Sequence, residues 1–254
     1  MVTRKSRREI EKMRTAGRIV AEVLALVESE LRPGVSTAHL DRLAERHIRS
    51  AGAVPSFKGY GHKSNPFPAS LCISINDEVV HGIPGERLIR DGQIVSVDAG
   101  AIHDGWHGDG ARTFIVGAPP SPETTRLIDT TRLAMMAGIA AAVPGASLED
   151  ISAAIEDAAA PGGYGIVRQF VGHGIGTEMH QEPQVPNYRT GVRGMKLVPG
   201  ICLAIEPMLT LGSHEVSIKP DGWTVVTRDG SLAAHFEHTI AVTEHGPEIL
   251  TTIG

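Results

Sequence analysis

Acids and histidines stand beside glycine in five short segments: His81-Gly82-Ile83-Pro84, Val97-Asp98-Ala99-Gly100, His107-Gly108-Asp109-Gly110, Gly172-His173-Gly174-Ile175-Gly176 and His235-Phe236-Glu237-His238. Glu206-Pro207 joins them. A carboxylate at the end of an apolar strand needs a partner, because an unpaired one costs several kcal/mol or is driven to protonate. Several such acids repel one another unless cations sit among them. Two divalent metals about 3.5–4 Å apart, clamped by carboxylates, remove that repulsion and make a hydrolytic centre. Each segment alone also has a plainer use. An acid after a strand caps a helix or closes a turn, and glycine on both sides of His173 marks close backbone approach. A phosphate cradle at Gly172-x-Gly174-x-Gly176 is ruled out, since the third-glycine spacing of a dinucleotide site and the Lys of a P-loop are missing.

The elements that must position these residues are legible in the periodicity. Ile10, Met13, Gly17, Val20, Leu24, Val27 and Leu31 recur every three or four residues, predicting an amphipathic helix that Pro33-Gly34 stops. Ser36 caps a second helix running to Gly52. Leu71–Ile75, Ile94–Asp98 and Arg112–Val116 read as strands. Ser121-Pro122-Glu123 then opens a third helix to Val143, and Ser147 with Asp150 opens a fourth towards Ala160. The second half thus repeats the first. Pro33-Gly34-Val35-Ser36 and Pro144-Gly145-Ala146-Ser147 stand 144 − 33 = 111 residues apart, and the strands ending at Asp98 and Glu206 stand 206 − 98 = 108 apart. On the second of these strands Cys202 and Ala204 share a face with Glu206, while Ile201, Leu203 and Ile205 face the other way.

Composition narrows the classes. With 41% hydrophobic and 21% charged residues, the chain has material for a sizeable core and is not a disordered one. A net charge of −5 supplies no global field for polyanions, so sequence-specific nucleic-acid binding is not expected. The apolar stretch Leu133–Val143 is too short to cross a bilayer, and no signal-like apolar run follows the basic start. Cys72 and Cys202 form no metal or disulfide framework, which fits a reducing, cytoplasmic setting. Histidines, at 12, outnumber the ten aromatic residues, which favours chemistry over aromatic recognition.

The order and spacing of Asp98, Asp109, His173, Glu206 and Glu237, with His81 upstream and His180 seven residues after His173, resemble the methionine aminopeptidases of type I, the bacterial style, in metallopeptidase family M24. INDEVVHGIP, SVDAGAIHDGWHGDGARTF, VGHGIGTEMHQEP, LAIEPM, DGWTV and FEHTIAVT look like family segments in the right order, and the likeness covers nearly the whole chain. The resemblance implies an α/β (α+β) pita-bread fold: duplicated halves about a pseudo-twofold, a central antiparallel sheet and helices outside. It implies a basic extension over residues 1–9 and one catalytic domain over 10–254, with halves of about 10–117 and 118–254.

The same resemblance implies two divalent ions (Co, Mn, Fe or Zn) on Asp98, Asp109, His173, Glu206 and Glu237, with Asp109 and Glu237 shared between them. Glu206 would move the proton, His180 would donate to the developing oxyanion, and His81 would contact the scissile amide or leaving nitrogen. Tyr60, Phe67, Cys72 and Trp223 would surround the methionine side chain, although Phe67 and Trp223 also suit ordinary core packing. Gly61–Asn65 looks longer than usual, and Met179 stands where the family often has Phe, so a shifted pocket shape is expected. The implied partners are nascent N-termini bearing methionine before a small residue. The chain would act as a monomer, and Arg4-Lys5 and Arg7-Arg8 would be a solvated helix start or a face turned to the ribosome. Prolidase or aminopeptidase P activity is the alternative, though those enzymes usually carry a large domain ahead of this pattern. A non-catalytic pita-bread binding module is the other, though such a module would be expected to have lost ligands.

Overall fold

Serine starts every long helix. Ser6 and Glu9 cap each other reciprocally, with the Glu9 carboxylate taking the Ser6 N–H at 2.7 Å, and α1 runs Arg7–Glu30. Ser36 Oγ accepts from His39 N at 3.2 Å to start α2 (Thr37–Ser50). Ser121 and Pro122 start α3 (Pro122–Ala141), and Asp150 takes the Ser147 N–H at 2.6 Å to start α4 (Leu148–Ala159). These bonds satisfy backbone donors that a helix N-terminus otherwise leaves open. The computed structural model describes residues 2–253.

After α1 and α2 come β1 (Val54–Pro55), β2 (Leu71–Ile75), β3 (Glu78–Val80), β4 (Ile94–His103) and β5 (Trp106–Ile115). After α3 and α4 come β6 (Gly165–Ile166), β7 (Gly172–Gly174), β8 (Gln181–Val185), β9 (Cys202–Ile205), β10 (Met208–Thr210), β11 (Val216–Ile218), β12 (Val225–Thr227), β13 (Ala233–His235), β14 (Glu237–Thr243) and β15 (Gly246–Ile249). Among the described residues the principal sheet has nine antiparallel strands in the order β1-β4-β5-β14-β9-β7-β8, with β2 on β4 and β15 on β14. Its central pair joins β5 of one half to β14 of the other.

Two cores flank this sheet. Val20, Leu24, Leu40 and Ile48 of α1 and α2 pack on Leu71, Ile73, Val95 and Val97, while Leu127, Ile139, Ile151 and Ile155 of α3 and α4 pack on Leu203, Ile205, Ile240 and Val242. The duplication extends to single hydrogen bonds. Gly34 N donates to Ile89 O at 2.8 Å and Gly145 N to Leu197 O at 2.9 Å, while Ser36 bridges Leu88 as Ser147 bridges Lys196. The pairs 34/145 and 36/147 keep the offset of 111, and 88/196 and 89/197 keep that of 108. This is the duplicated α/β architecture expected from the sequence.

Two expectations need adjusting. The strands read as 94–98 and 112–116 are longer, because Asp104-Gly105, both at positive φ, turns β4 back into β5. An Asp-Gly pair is the ordinary signal for such a hairpin. The basic start is not fully solvated either. Lys5 is 7% exposed, its N–H donates to Gly200 O at 2.7 Å, and its Nζ donates to Gln181 Oε1 at 3.1 Å. The stem is tucked so closely under the loop after β7 that a Cβ at Gly176 would lie 2.8 Å from Lys5 Cε.

Candidate active site

Strand register brings the acids together. Asp98 on β4 lies opposite Ala111 on β5, and Ala111 lies opposite Glu237 on β14, so the three side chains form one row on one side of the sheet. Asp109 is the next residue of β5 on that same side, diagonal to Asp98 and Glu237. His173 on β7 lies opposite Ala204 on β9, which lies opposite Thr239 on β14. Alanine at 111 and 204 leaves room between the functional groups. Thr239 Oγ1 accepts from Asp109 N at 3.0 Å and donates to Asp109 O at 2.8 Å, holding that acid's backbone from the other half. On the opposite side, Gly108 admits the backbone of α1, since a Cβ there would lie 2.6 Å from Gly17 N.

These residues line one cavity of about 830 Å³, together with His81, His180, Tyr60, Phe67, Cys72 and Trp223. Ligand atoms of Asp109, His173 and Glu237 lie within 4.8 Å of one another. Glu206 follows β9 and sets Oε1 3.3 Å from His173 Nε2. His173 Nδ1 is 2.9 Å from Gly174 O, and a carbonyl only accepts, so Nδ1 carries the proton and Nε2 presents a lone pair to the carboxylate. Two acceptors facing each other at that distance need a proton or a metal cation between them. Asp98 Oδ1, Asp109 Oδ1 and Glu237 Oε1 are buried without a hydrogen-bond partner. Burial pushes the Asp98 carboxyl up to about 7, and burial plus neighbouring acids raise Asp109, Glu206 and Glu237 well above the usual range. Carboxylates and imidazole with open lone pairs fit a borderline-hard divalent ion.

His81 enters from the end of β3 with φ 59°, a left-handed conformation that costs a non-glycine residue roughly 1–2 kcal/mol. Gly82 pays this back in packing: its carbonyl accepts from Ile73 N at 2.8 Å and its N–H donates to Ser74 Oγ at 3.1 Å. The His81 ring meets Phe170 edge-on at 5.4 Å, and burial lowers its pKa to about 4. His180 stands at the cavity rim with its ring 4.2 Å from that of His173, and burial lowers its pKa too.

The apolar end of the cavity is a cluster of Phe57, Phe67, Ala69, Cys72 and Met179, with Ile83 and Trp223 packed on it. Phe67 and Trp223 meet edge-on at 5.2 Å. The long stretch 61–65 holds this wall: Trp223 Nε1 donates to Asn65 O at 3.1 Å, and Asn65 Nδ2 donates to Asp221 O at 3.1 Å. Tyr60 lines the cavity but lies outside that cluster, 40% exposed, with its hydroxyl 2.6 Å from His180 Nδ1. Phe57 and Met179 were not among the expected pocket residues. Phe57 gave no motif signal, and Met179 was visible only as a departure. His235, to which the resemblance gives no role, also lines the cavity: it is 2% exposed with Nε2 unpartnered and 3.9 Å from Glu206 Oε2.

A duplicated sheet closing over a buried acid and histidine cluster defines a class of metallopeptidase, and the family model "Metallopeptidase family M24" matches residues 11–244. The chain belongs to that family of metallopeptidases. Within it, the chain is 53% identical to the methionine aminopeptidase of Clostridium acetobutylicum, over 99% of both chains. The crystal structure of methionine aminopeptidase from Thermotoga maritima superposes with a TM-score of 0.95 at 42% identity, covering 99% of this chain and 100% of that one. The prolidase from Pyrococcus furiosus shares the fold alone, with a TM-score of 0.78 at 22% identity over 98% of this chain and 65% of that one. No helix among the described residues is long and apolar enough to cross a membrane.

Proposed function

We propose that this chain removes the initiator methionine from nascent polypeptides whose second residue is small, in the cytoplasm and as a monomer. The observation that carries the reading is the meeting, in one cavity, of the Asp98, Asp109, His173, Glu206 and Glu237 cluster with a sulfur- and aromatic-lined pocket. Those five residues would hold two divalent ions (Co, Mn, Fe or Zn). When bound, the ions supply Lewis acidity and an acidified water. Residues 10–254 act as one catalytic domain of two halves, about 10–117 and 118–254.

Glu206, buried and reluctant to ionise alone, takes the proton of the attacking water and returns it to the leaving nitrogen. His180 donates to the oxygen that gains charge, and loss of such a donor costs about 3–4 kcal/mol of transition-state stabilisation. His81, held neutral by burial, contacts the scissile amide or leaving nitrogen. Phe67, Cys72 and Trp223, joined by Phe57 and Met179, take the methionine side chain, where each sulfur–aromatic contact adds up to about 1.5 kcal/mol. Arg4, Arg7 and Arg8 stay exposed and face the ribosome in this reading; binding to ribosomes that is absent or insensitive to salt would count against it.

The test is hydrolysis of Met-Ala-Ser against an Ala-Pro peptide, before and after chelation and metal readdition. Cleavage of the Met peptide alone, lost on chelation, restored by the ion and abolished in Glu206→Gln, is the expected result. Preference for the Ala-Pro peptide supports the prolidase alternative. No metal-restored cleavage, or full activity in Glu206→Gln, overturns the proposal.

A further inference from the structure

The family resemblance implies a place for Tyr60 beside the methionine side chain, but its hydroxyl is committed elsewhere. Tyr60 Oη lies 2.6 Å from His180 Nδ1, with the two rings 5.3 Å apart and tilted by 50°. The apolar cluster that forms the pocket wall does not include Tyr60.

A neutral imidazole has one N–H, and the bond made by one nitrogen decides where that proton sits. If Tyr60 O–H donates to Nδ1, His180 is the Nε2–H tautomer and its free nitrogen is a donor. If Nδ1–H donates to Tyr60 instead, the free nitrogen is an acceptor and cannot stabilise a developing oxyanion. His180 is exposed at the rim, so water competes for both nitrogens unless a protein group holds one. Among the described residues, the Tyr60 hydroxyl is the side-chain group hydrogen-bonded to that ring.

We propose that Tyr60 is a positioning residue for the reaction: its hydroxyl pins His180 Nδ1 and so fixes the Nε2–H tautomer that faces the scissile carbonyl. This rests on the role given to His180 above. The loop before the pocket therefore serves the chemistry as well as the pocket wall.

The test is Tyr60→Phe in the metal-loaded enzyme, which removes one oxygen from a residue 40% exposed and leaves the ring. With Met-Ala-Ser, kcat falls about tenfold, the worth of one hydrogen bond, and KM stays within about twofold. In ¹⁵N-labelled protein with and without metal, the His180 ring shows the Nε2–H pattern in the wild type and a mixed pattern in Tyr60→Phe. A raised KM with unchanged kcat makes Tyr60 a pocket residue only and overturns the proposal. So does an Nδ1–H pattern in the wild type, or a ring pattern that the substitution leaves unchanged. An active Glu206→Gln enzyme would instead refute the hydrolytic reading. An inactive Glu206→Gln beside a fully active Tyr60→Phe refutes this inference alone.

Discussion

His173 Nδ1–H donates a hydrogen bond to the Gly174 carbonyl, and that bond decides what its other nitrogen can do. Nε2 is left as an acceptor 3.3 Å from Glu206, a contact that suits two ligands of one cation and not an ion pair. The neighbouring histidines differ in the same way. His107 Nδ1 meets Ser56 Oγ at 3.0 Å and His238 Nδ1 meets Thr251 Oγ1 at 2.7 Å, so both are spoken for outside the acid cluster. These two histidines therefore serve structure, and the acid cluster's chemistry is mostly carboxylate. At this scale Met179 makes a prediction. It is 5% exposed among Phe57, Phe67 and Cys72, and a rigid ring in its place overpacks the wall, typically at about 1–3 kcal/mol. Met179→Phe raises KM for Met-Ala-Ser several-fold with kcat nearly unchanged; steady-state kinetics indistinguishable from the wild type would take Met179 out of the pocket.

The segment before α1 acts as a strap. Arg4 Nε donates to Pro199 O at 3.1 Å, the Lys5 backbone bonds Gly200, and the Lys5 ammonium reaches Gln181, the residue after His180. Burial lowers the Lys5 pKa, so the cation is held at a cost that those bonds offset. Lys5→Ala leaves Gln181 Oε1 without that partner and opens space under Gly176. Thermal or urea unfolding should show a loss of about 0.5–1.5 kcal/mol, the usual net worth of one hydrogen bond, because Gln181 is half-buried and water can reach it. Unchanged stability would mean that the strap is incidental. The basic pattern of residues 4–8 hid this role, because charge alone does not tell a solvated lysine from one whose stem is buried.

For the whole molecule, the buried acids link stability to pH and metal. An acid whose folded pKa is raised keeps its proton after the unfolded chain has released it, so stability falls as pH rises from about 4 through the folded value, about 7 for Asp98. Burial lowers His173 and His235 to about 3 and His81 to about 4, which has the opposite sign: stability rises with pH from those values up to about 6.5. The two effects oppose below about 6.5; above it the four raised acids outweigh the single lowered cation, Lys5, whose contribution has the opposite sign. The metal-stripped protein should therefore melt at a lower temperature at pH 8.5 than at pH 6.5, and added Mn or Co should raise Tm more at the higher pH. Scanning calorimetry that found a flat or rising Tm over this window, with no larger metal effect at pH 8.5, would contradict the arrangement.

Helix periodicity, serine caps and the repeated Pro-Gly and strand-acid segments are local patterns, and they determined the four long helices, the strands at Leu71–Ile75, Ile94–Asp98, Arg112–Val116 and before Glu206, the duplication and the candidate residues Asp98, Asp109, His173, Glu206 and Glu237, but not the other strands of the second half. Family resemblance added roles to those positions. Only the tertiary structure decided which groups meet. It put Ala111 between Asp98 and Glu237 and Ala204 between His173 and Thr239 through strand register, carried Phe57 and Met179 into the pocket wall, turned the Tyr60 hydroxyl onto His180 and buried Lys5 under Gly176. The physical reason is range: periodicity and caps act over a few residues, whereas a hydrogen bond between residues 60 and 180 exists only after both halves have packed against one sheet.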